Sequence, residues 1–270
     1  MLITSLRNPR IIALRKLGRR RQRRLQGRFS AEGLQALHMA QAAGWQAQEV
    51  YHCPALCSGP TAPRLLRRLE AGGARLFEVN EHVLRACSDR ETPQGLCATF
   101  ALPQNAPGDL QPPAGALVPV LDRLRDPGNM GSLLRTADAV GAAAVVLLPG
   151  CVDPFDPKVV RASMGSIFNL PVVPVESAAA LGAWLEQRGL PLCGADGARG
   201  QVWTDVDWSG GMALALGNEA QGLDDALLAR CERLAGLPLH GRAESLNVAV
   251  AGGVLMYAWR AANPVARPVA

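Results

Sequence analysis

Residues Leu117–Leu148 read LVPVLDRLRDPGNMGSLLRTADAVGAAAVVLL, and this stretch decides what fold to expect. Leu117–Leu124 is a largely apolar run of strand length, followed by the turn-forming residues Asp126-Pro127-Gly128. From Gly131 to Val140 the apolar residues Leu133, Leu134, Ala137 and Val140 recur at helical spacing. Ala143–Leu148 is a second apolar strand, stopped by Pro149-Gly150. Two buried strands joined by a crossover helix predict a parallel sheet covered on both faces.

The alternation continues downstream. Helices are expected at Lys158–Phe168, Ala178–Arg188, Asp224–Arg233 and Val248–Ala261. Strands are expected at Val172–Val175, Leu192–Ala195, Met212–Leu216 and Leu234–Leu239. Upstream, strands at Phe29–Glu32, Glu49–Cys53, Arg75–Val79 and Leu96–Leu102 alternate with helices at Gly33–Ala43, Arg64–Ala71 and Glu81–Cys87. Between the two halves, Leu102–Pro113 is rich in Pro, Asn and Gly and reads as a connection. The expected organisation is therefore a small α/β domain over 1–105, a linker over 106–114, and a larger α/β domain over 115–270.

Charge divides at the same place. Residues 1–105 carry 16 Lys and Arg against 7 Asp and Glu, whereas 106–270 carry 12 against 16. The first 28 residues hold ten basic side chains and no acidic one, including Arg19, Arg20, Arg21, Arg23 and Arg24. Such a block attracts a polyanion by counterion release, although a solvated helix face or a loose arm has the same composition. With 4% aromatic residues, an extensive base-stacking surface is not expected. The N-terminus turns basic without an apolar stretch, and no run is long enough to span a bilayer. The expectation is a cytoplasmic protein with no membrane partner. Seven scattered cysteines argue against a disulfide framework. His52, Cys53 and Cys57 have no second ligand pair to complete a zinc shell, so no metal is expected.

Open parallel sheets bind ligands beyond the C-terminal ends of their strands, which directs attention to the loops after Leu124, Ala195, Leu216 and Leu239. No G-x-G-x-x-G fingerprint opens a helix there, and Gly217 and Gly222 lack the lysine of a phosphate loop. No nucleophile elbow or H-E-x-x-H motif occurs. Polar residues nevertheless concentrate in three of these segments. In Asp122–Ala142, Asn129 stands where a helix N-cap is expected, and Arg135 sits one to two turns into the helix, near the end that favours anions. In Leu214–Leu223 (LALGNEAQGL), glycines flank a loop carrying Asn218 and Glu219. In Leu237–Trp259, Glu244, Ser245 and Asn247 precede an apolar helix; either Ser245 or Asn247 serves as N-cap, which leaves a polar surplus.

These three segments resemble the motifs of the SpoU/TrmH RNA ribose methyltransferases, in the same order: D-P-x-N-x-G-x-x-x-R-T-A, G-x-E-x-x-G and S-L-N-V. Arg161-Ala162-Ser163-Met164-Gly165 is similar to the family's intermediate segment, and Arg161 is accordingly placed among RNA-contacting residues. The N-terminal domain is similar to the family's substrate-binding module. The resemblance implies a parallel sheet whose C-terminal part is threaded as a deep trefoil knot (the SPOUT fold), working as a homodimer. It implies S-adenosylmethionine as cofactor, held at Gly217, Asn218, Leu237, Pro238 and Leu246. It implies a ribose-facing set of Asn129, Arg135, Glu219, Ser245 and Asn247, with Arg135 central to catalysis, and RNA contacts from Arg19, Arg20, Arg21, Arg23 and Arg24. Methylation of a ribose 2′-hydroxyl in ribosomal RNA is the function expected. A transfer-RNA methyltransferase or an inactive RNA-binding relative is the alternative.

Overall fold

The computed structural model describes residues 2–57, 59–88 and 90–264, which form two compact units. The first comprises Met1–Gln104 together with Asp153–Asn169, and the second Asn105–Val152 together with Leu170–Ala270.

The first unit contains strands β1 (Leu2–Ile3), β2 (Arg28–Glu32), β3 (Ala47–His52), β4 (Arg75–Val79) and β5 (Leu96–Ala101) in the order β1-β4-β3-β5-β2. β4 runs parallel to β1 and β3, whereas β5 is antiparallel to β3 and β2. Helices α1 (Pro9–Lys16), α2 (Arg20–Gln26), α3 (Leu34–Ala42), α4 (Thr61–Ala71) and α5 (Glu81–Cys87) complete its N-terminal part. The arginine block is thus part of a helical pair, with Asn8 capping α1 and Gly27 closing α2 in a left-handed conformation.

The boundary expected at residue 115 assigned Asp153–Asn169 to the C-terminal domain, whereas the structure groups this segment with the first unit. The reason is aromatic packing. Phe155 and Phe168 join Phe29, Trp45 and Phe100 in a cluster with ring centroids 4.7–6.3 Å apart. Each such pair adds roughly 0.5–1.5 kcal/mol beyond the area it buries. The Trp45 indole N–H also donates to the Phe168 carbonyl at 2.9 Å. The helix expected over Lys158–Phe168 is interrupted. It runs only from Pro157 to Ala162, and Met164 (φ 53°) and Gly165 (φ 101°) turn the chain into a short 3-10 segment at Ser166–Phe168.

The second unit is a seven-stranded, all-parallel sheet. Its strands are β6 (Leu117–Leu121), β7 (Val145–Leu147), β8 (Val172–Pro174), β9 (Leu192–Ala195), β10 (Gln201–Val202), β11 (Met212–Leu216) and β12 (Arg233–Gly236). They lie in the order β10-β12-β9-β11-β6-β7-β8, so the adjacent central strands are β11 and β6. Every residue of both is buried, as continuous apolar runs require. Helices α6 (Pro127–Ala139), α7 (Pro157–Ala162, in the first unit), α8 (Ala178–Glu186), α9 (Asp225–Leu228) and α10 (Val248–Ala262) complete the numbering.

Helix α10 packs on α6 and β11, where Gly252 leaves no room for a side chain: a Cβ there would lie 2.6 Å from Leu133 and 2.7 Å from Leu216. The segment expected as a linker is tied down within this unit. Trp184 of α8 donates to the Pro107 carbonyl at 2.7 Å, and Arg188 donates to that of Leu110 at 3.1 Å. The helix expected over Asp224–Arg233 is only one turn long, because Arg233 is already paired with Cys193 in the sheet. No helix among the described residues is long and apolar enough to cross a membrane.

Candidate active site

Three loops leave the C-terminal ends of β9, β11 and β12 and surround a cavity of about 550 Å3. This lies within the roughly 300–1,000 Å3 range of small-molecule and cofactor pockets. Leu216, Leu237, Leu239, Leu246 and Leu255 supply an apolar wall, and Asp196, Asn218, Glu219 and Ser245 supply polar groups. Of the residues expected to hold a cofactor, Gly217, Asn218, Leu237 and Leu246 line the cavity, whereas Pro238 is exposed beside it in the chain. The strand expected to reach Leu239 ends at Gly236, which leaves Leu237–Leu239 as loop.

The β11 loop is folded tightly on itself. Asn218 and Gly222 exchange backbone hydrogen bonds at 3.0 and 2.9 Å, and the Asn218 side chain accepts from the amides of Ala220 and Gln221. A Cβ on Gly217 would stand 2.3 Å from the Gly222 carbonyl carbon, so glycine is obligatory for this backbone approach.

Two residues not singled out from the sequence brace the loop. Asp122 is 3% exposed and accepts the Asp224 amide at 2.8 Å while pairing with Arg123 at 3.2 Å. Arg123, at φ 52°, donates to the Gln221 side chain and to the Gly222 carbonyl. An Asp-Arg pair directly after five apolar strand residues was the available signal. The loop after β9 is organised by Asp196, whose carboxylate accepts from the Ala198 and Arg199 amides and from the Arg199 side chain, each at 2.9 Å. Burial pushes this carboxyl up, but those hydrogen bonds and the Arg199 charge outweigh it and hold it below the usual range.

The structure brings Asn129, Glu219 and Asn247 together in one hydrogen-bonded chain. Asn247 Nδ2 donates to Asn129 Oδ1 at 2.9 Å, and Asn129 Nδ2 donates to Glu219 Oε1 at 2.8 Å. Asn129 is free for this because it does not cap α6. The cap is Asp126, whose carboxylate accepts the Asn129 amide at 2.7 Å, with Pro127 at the first helical position. Asn247, not Ser245, caps α10, accepting from Ala249 and Val250 while its amide nitrogen serves Asn129. Ser245 is exposed on the cavity wall.

The helix start at Pro127 also corrects the expectation for Arg135. That residue lies more than two turns from the N-terminus, beyond the first turn where the helix dipole favours anions. Its side chain is exposed, outside the cavity lining, and makes no hydrogen bond or ion pair among the described residues.

The expected RNA-contacting residues belong to the first unit. Arg19, Arg20, Arg21 and Arg24 are exposed, and Arg161 is partly buried beside a cavity of about 220 Å3 that also borders Arg15 and Glu32. Arg23 is different: it is 1% exposed, donates to the Leu17 carbonyl at 2.8 Å and pairs with Asp153 at 2.6 Å and Asp156 at 3.5 Å. It is a buried structural cation, not an open phosphate ligand. Among the described residues no group of three or more His, Cys, Asp or Glu side chains is arranged to hold a metal.

A parallel sheet with an amphiphilic cavity at its strand ends, bordered by an amide–carboxylate chain, is the arrangement of an open α/β domain that takes a ligand beyond its strand ends. The model of the SpoU rRNA methylase family matches residues 116–257, and that of the MRM3-like substrate binding domain matches 8–98. The chain belongs to the SpoU rRNA methylase family. It is 34% identical to an uncharacterized tRNA/rRNA methyltransferase of Synechocystis sp., over 97% of this chain and 96% of that one. It is 32% identical to the 23S rRNA (guanosine(2553)-2′-O)-methyltransferase RlmP of Bacillus subtilis, over 94% and 97%. The crystal structure of an AdoMet-bound rRNA methyltransferase from Sinorhizobium meliloti superimposes with a TM-score of 0.88 at 32% identity, covering 97% of each chain.

Proposed function

We propose that this protein transfers a methyl group from S-adenosylmethionine to a ribose 2′-hydroxyl of ribosomal RNA. The observation that carries the proposal is the Glu219–Asn129–Asn247 chain, anchored in the wall of the cavity at Glu219. The cavity suits an amphiphilic cofactor, with leucines for a flat heterocycle and polar loop groups for a charged tail. Gly217, Asn218, Leu237 and Leu246 would hold the cofactor, with Pro238 shaping the loop, and the bound cofactor supplies the methyl group.

The chain's own residues supply alignment, which is the main requirement of an in-line displacement. Glu219 and the two asparagines form a rigid hydrogen-bonding edge for a ribose hydroxyl, and Ser245 adds a hydroxyl on the same wall. Arg135, a permanent cation with five N–H donors, orients the neighbouring RNA phosphate. In one chain it faces solvent, and on this reading a second protomer completes the site. A homodimer is supported by Val250, Val254 and Tyr257, which are 55%, 37% and 53% exposed at helical spacing on α10, the helix packed against α6. A trefoil-knotted threading of the C-terminal part belongs to the same proposal, supported by membership of the SpoU family. A cytoplasmic location is part of the same proposal.

Incubating the purified protein with methyl-labelled S-adenosylmethionine and transcribed 23S rRNA tests the proposal. Label mapped to a ribose 2′-oxygen supports it. Label entering only transfer RNA moves the substrate, and RNA binding without transfer to either RNA identifies an inactive relative.

A further inference from the structure

The first unit contains two arginine–carboxylate clusters of different balance. At Arg23 the buried guanidinium faces two carboxylates, Asp153 and Asp156, and the exposed Arg20 lies 4.0 Å from Asp153, so the charges of that cluster cancel. At Glu49 one carboxylate faces three guanidiniums. Glu49 Oε1 accepts from Arg10 and, at 3.2 Å, from Arg75; Oε2 accepts from Arg28 at 2.8 Å and from the Tyr51 hydroxyl at 2.8 Å.

The placement of Glu49 follows from the sheet. A register shift between Ala47 and Glu49 interrupts the β3–β5 ladder, and Glu49 lies opposite Arg75 in the parallel β3–β4 ladder. Its side chain is 3% exposed, whereas those of Arg10 and Arg75 are 41% and 64% exposed. Arg10 is further fixed over the Phe77 ring at 4.6 Å, and Phe77 stacks on Tyr51. Burial alone would push the Glu49 carboxyl up; the Tyr51 and Arg28 hydrogen bonds and the Arg28 and Arg10 charges reverse this, so Glu49 stays ionised at neutral pH.

One guanidinium neutralises one carboxylate. The cluster therefore keeps a surplus of two positive charges, and its two most exposed members retain N–H donors not directed at Glu49. Guanidinium forks match the geometry of phosphate oxygens, and side chains already held in place lose less freedom on binding.

We propose that Arg10, Arg28 and Arg75, gathered around Glu49, form a preorganised site for two adjacent backbone phosphates of the RNA substrate; this rests on RNA being the substrate. The site lies outside the run from Arg19 to Arg24 and draws its residues from α1, β2 and β4.

The test is filter binding of transcribed 23S rRNA at several salt concentrations, comparing wild type with Arg10→Gln/Arg75→Gln. The double variant should bind about tenfold more weakly at low salt, with a log–log salt slope shallower by about 1.5, as expected for two lost phosphate contacts. Its affinity for S-adenosylmethionine, measured by calorimetry, should match wild type. Unchanged RNA affinity and slope in the folded double variant overturn the proposal. Should the double variant not fold, Arg75→Gln alone decides, because that side chain is mostly exposed: a slope shallower by about 0.8 supports the site and an unchanged slope overturns it. Wild type that binds no RNA at any salt removes the substrate assignment, and the site with it.

Discussion

Asn129 and Glu219, 90 residues apart in the chain, are joined by a hydrogen bond of 2.8 Å from the asparagine amide to the carboxylate. The bond couples the start of α6 to the loop after β11, and through Asn247 it reaches the cap of α10. Replacing Asn129 with Ala should lower kcat by about 100-fold, the scale at which misplacement of reacting groups is felt. Because these groups are partly solvated, the melting temperature should change little. A kcat within twofold of wild type would show that the chain does not align the ribose.

Arg135→Ala should reduce methyl transfer to background while leaving the affinity for S-adenosylmethionine nearly intact, since Arg135 lies outside the cavity. Calorimetry with the cofactor and a methyl-transfer assay separate the two effects. Wild-type activity in this variant would remove Arg135 from the mechanism.

Gly217→Ala should act on binding. Its Cβ would meet the backbone of Gly222 and Leu223 at 2.3–2.5 Å, so the loop must open. The expected result is a loss of cofactor affinity of more than about tenfold, together with destabilisation of about 1–3 kcal/mol, the usual cost of forcing atoms into a packed site. Calorimetry and denaturant titration measure both.

Arg23→Ala should destabilise the fold rather than selectively weaken RNA binding. It leaves Asp153 and Asp156 without their buried cation, a loss of about 3 kcal/mol by analogy with other broken buried pairs. Substituting Arg20, Arg21 and Arg24 with Gln should instead leave stability near wild type and weaken RNA binding in a salt-dependent way. Urea melts and filter binding on both variants check the contrast.

The Glu49 cluster predicts an acid-sensitive contribution to stability. The folded carboxyl titrates below its ordinary value of 4.5, so its contribution is complete above that pH and is lost as pH falls through the folded value. The melting temperature of wild type should therefore exceed that of Glu49→Gln at pH 7, with the gap closing under acid. A gap independent of pH would contradict this.

Much of the second unit was legible because its central strands are continuous apolar runs and its long helices carry an apolar stripe, properties local to the chain, whereas the short exposed edge strand Gln201–Val202 has no such signal. The strands at Leu192–Ala195 and Met212–Leu216 fall where the periodicity puts them, as does Arg75–Val79 in the first unit. Helix α6 starts four residues before the expected Gly131, since Asp126 and Pro127 outcompete Asn129 for the helix start. The helical pair in the arginine block was hidden because charge dominates its composition, and the apolar residues it buries are few and spaced among arginines.

The sequence by itself determined the alternation of strands and helices, the two-part charge distribution and the three polar loop segments, all of which depend on neighbours along the chain. Only the tertiary structure decided which polar residues meet and which charges remain open. Asn129 found Glu219 and Asn247, Arg23 was buried between two aspartates, and Arg10, Arg28 and Arg75 converged on Glu49. Whether an arginine is spent on a carboxylate or left for a ligand depends on what lies within about 4 Å in space, a distance that spacing along the chain does not encode.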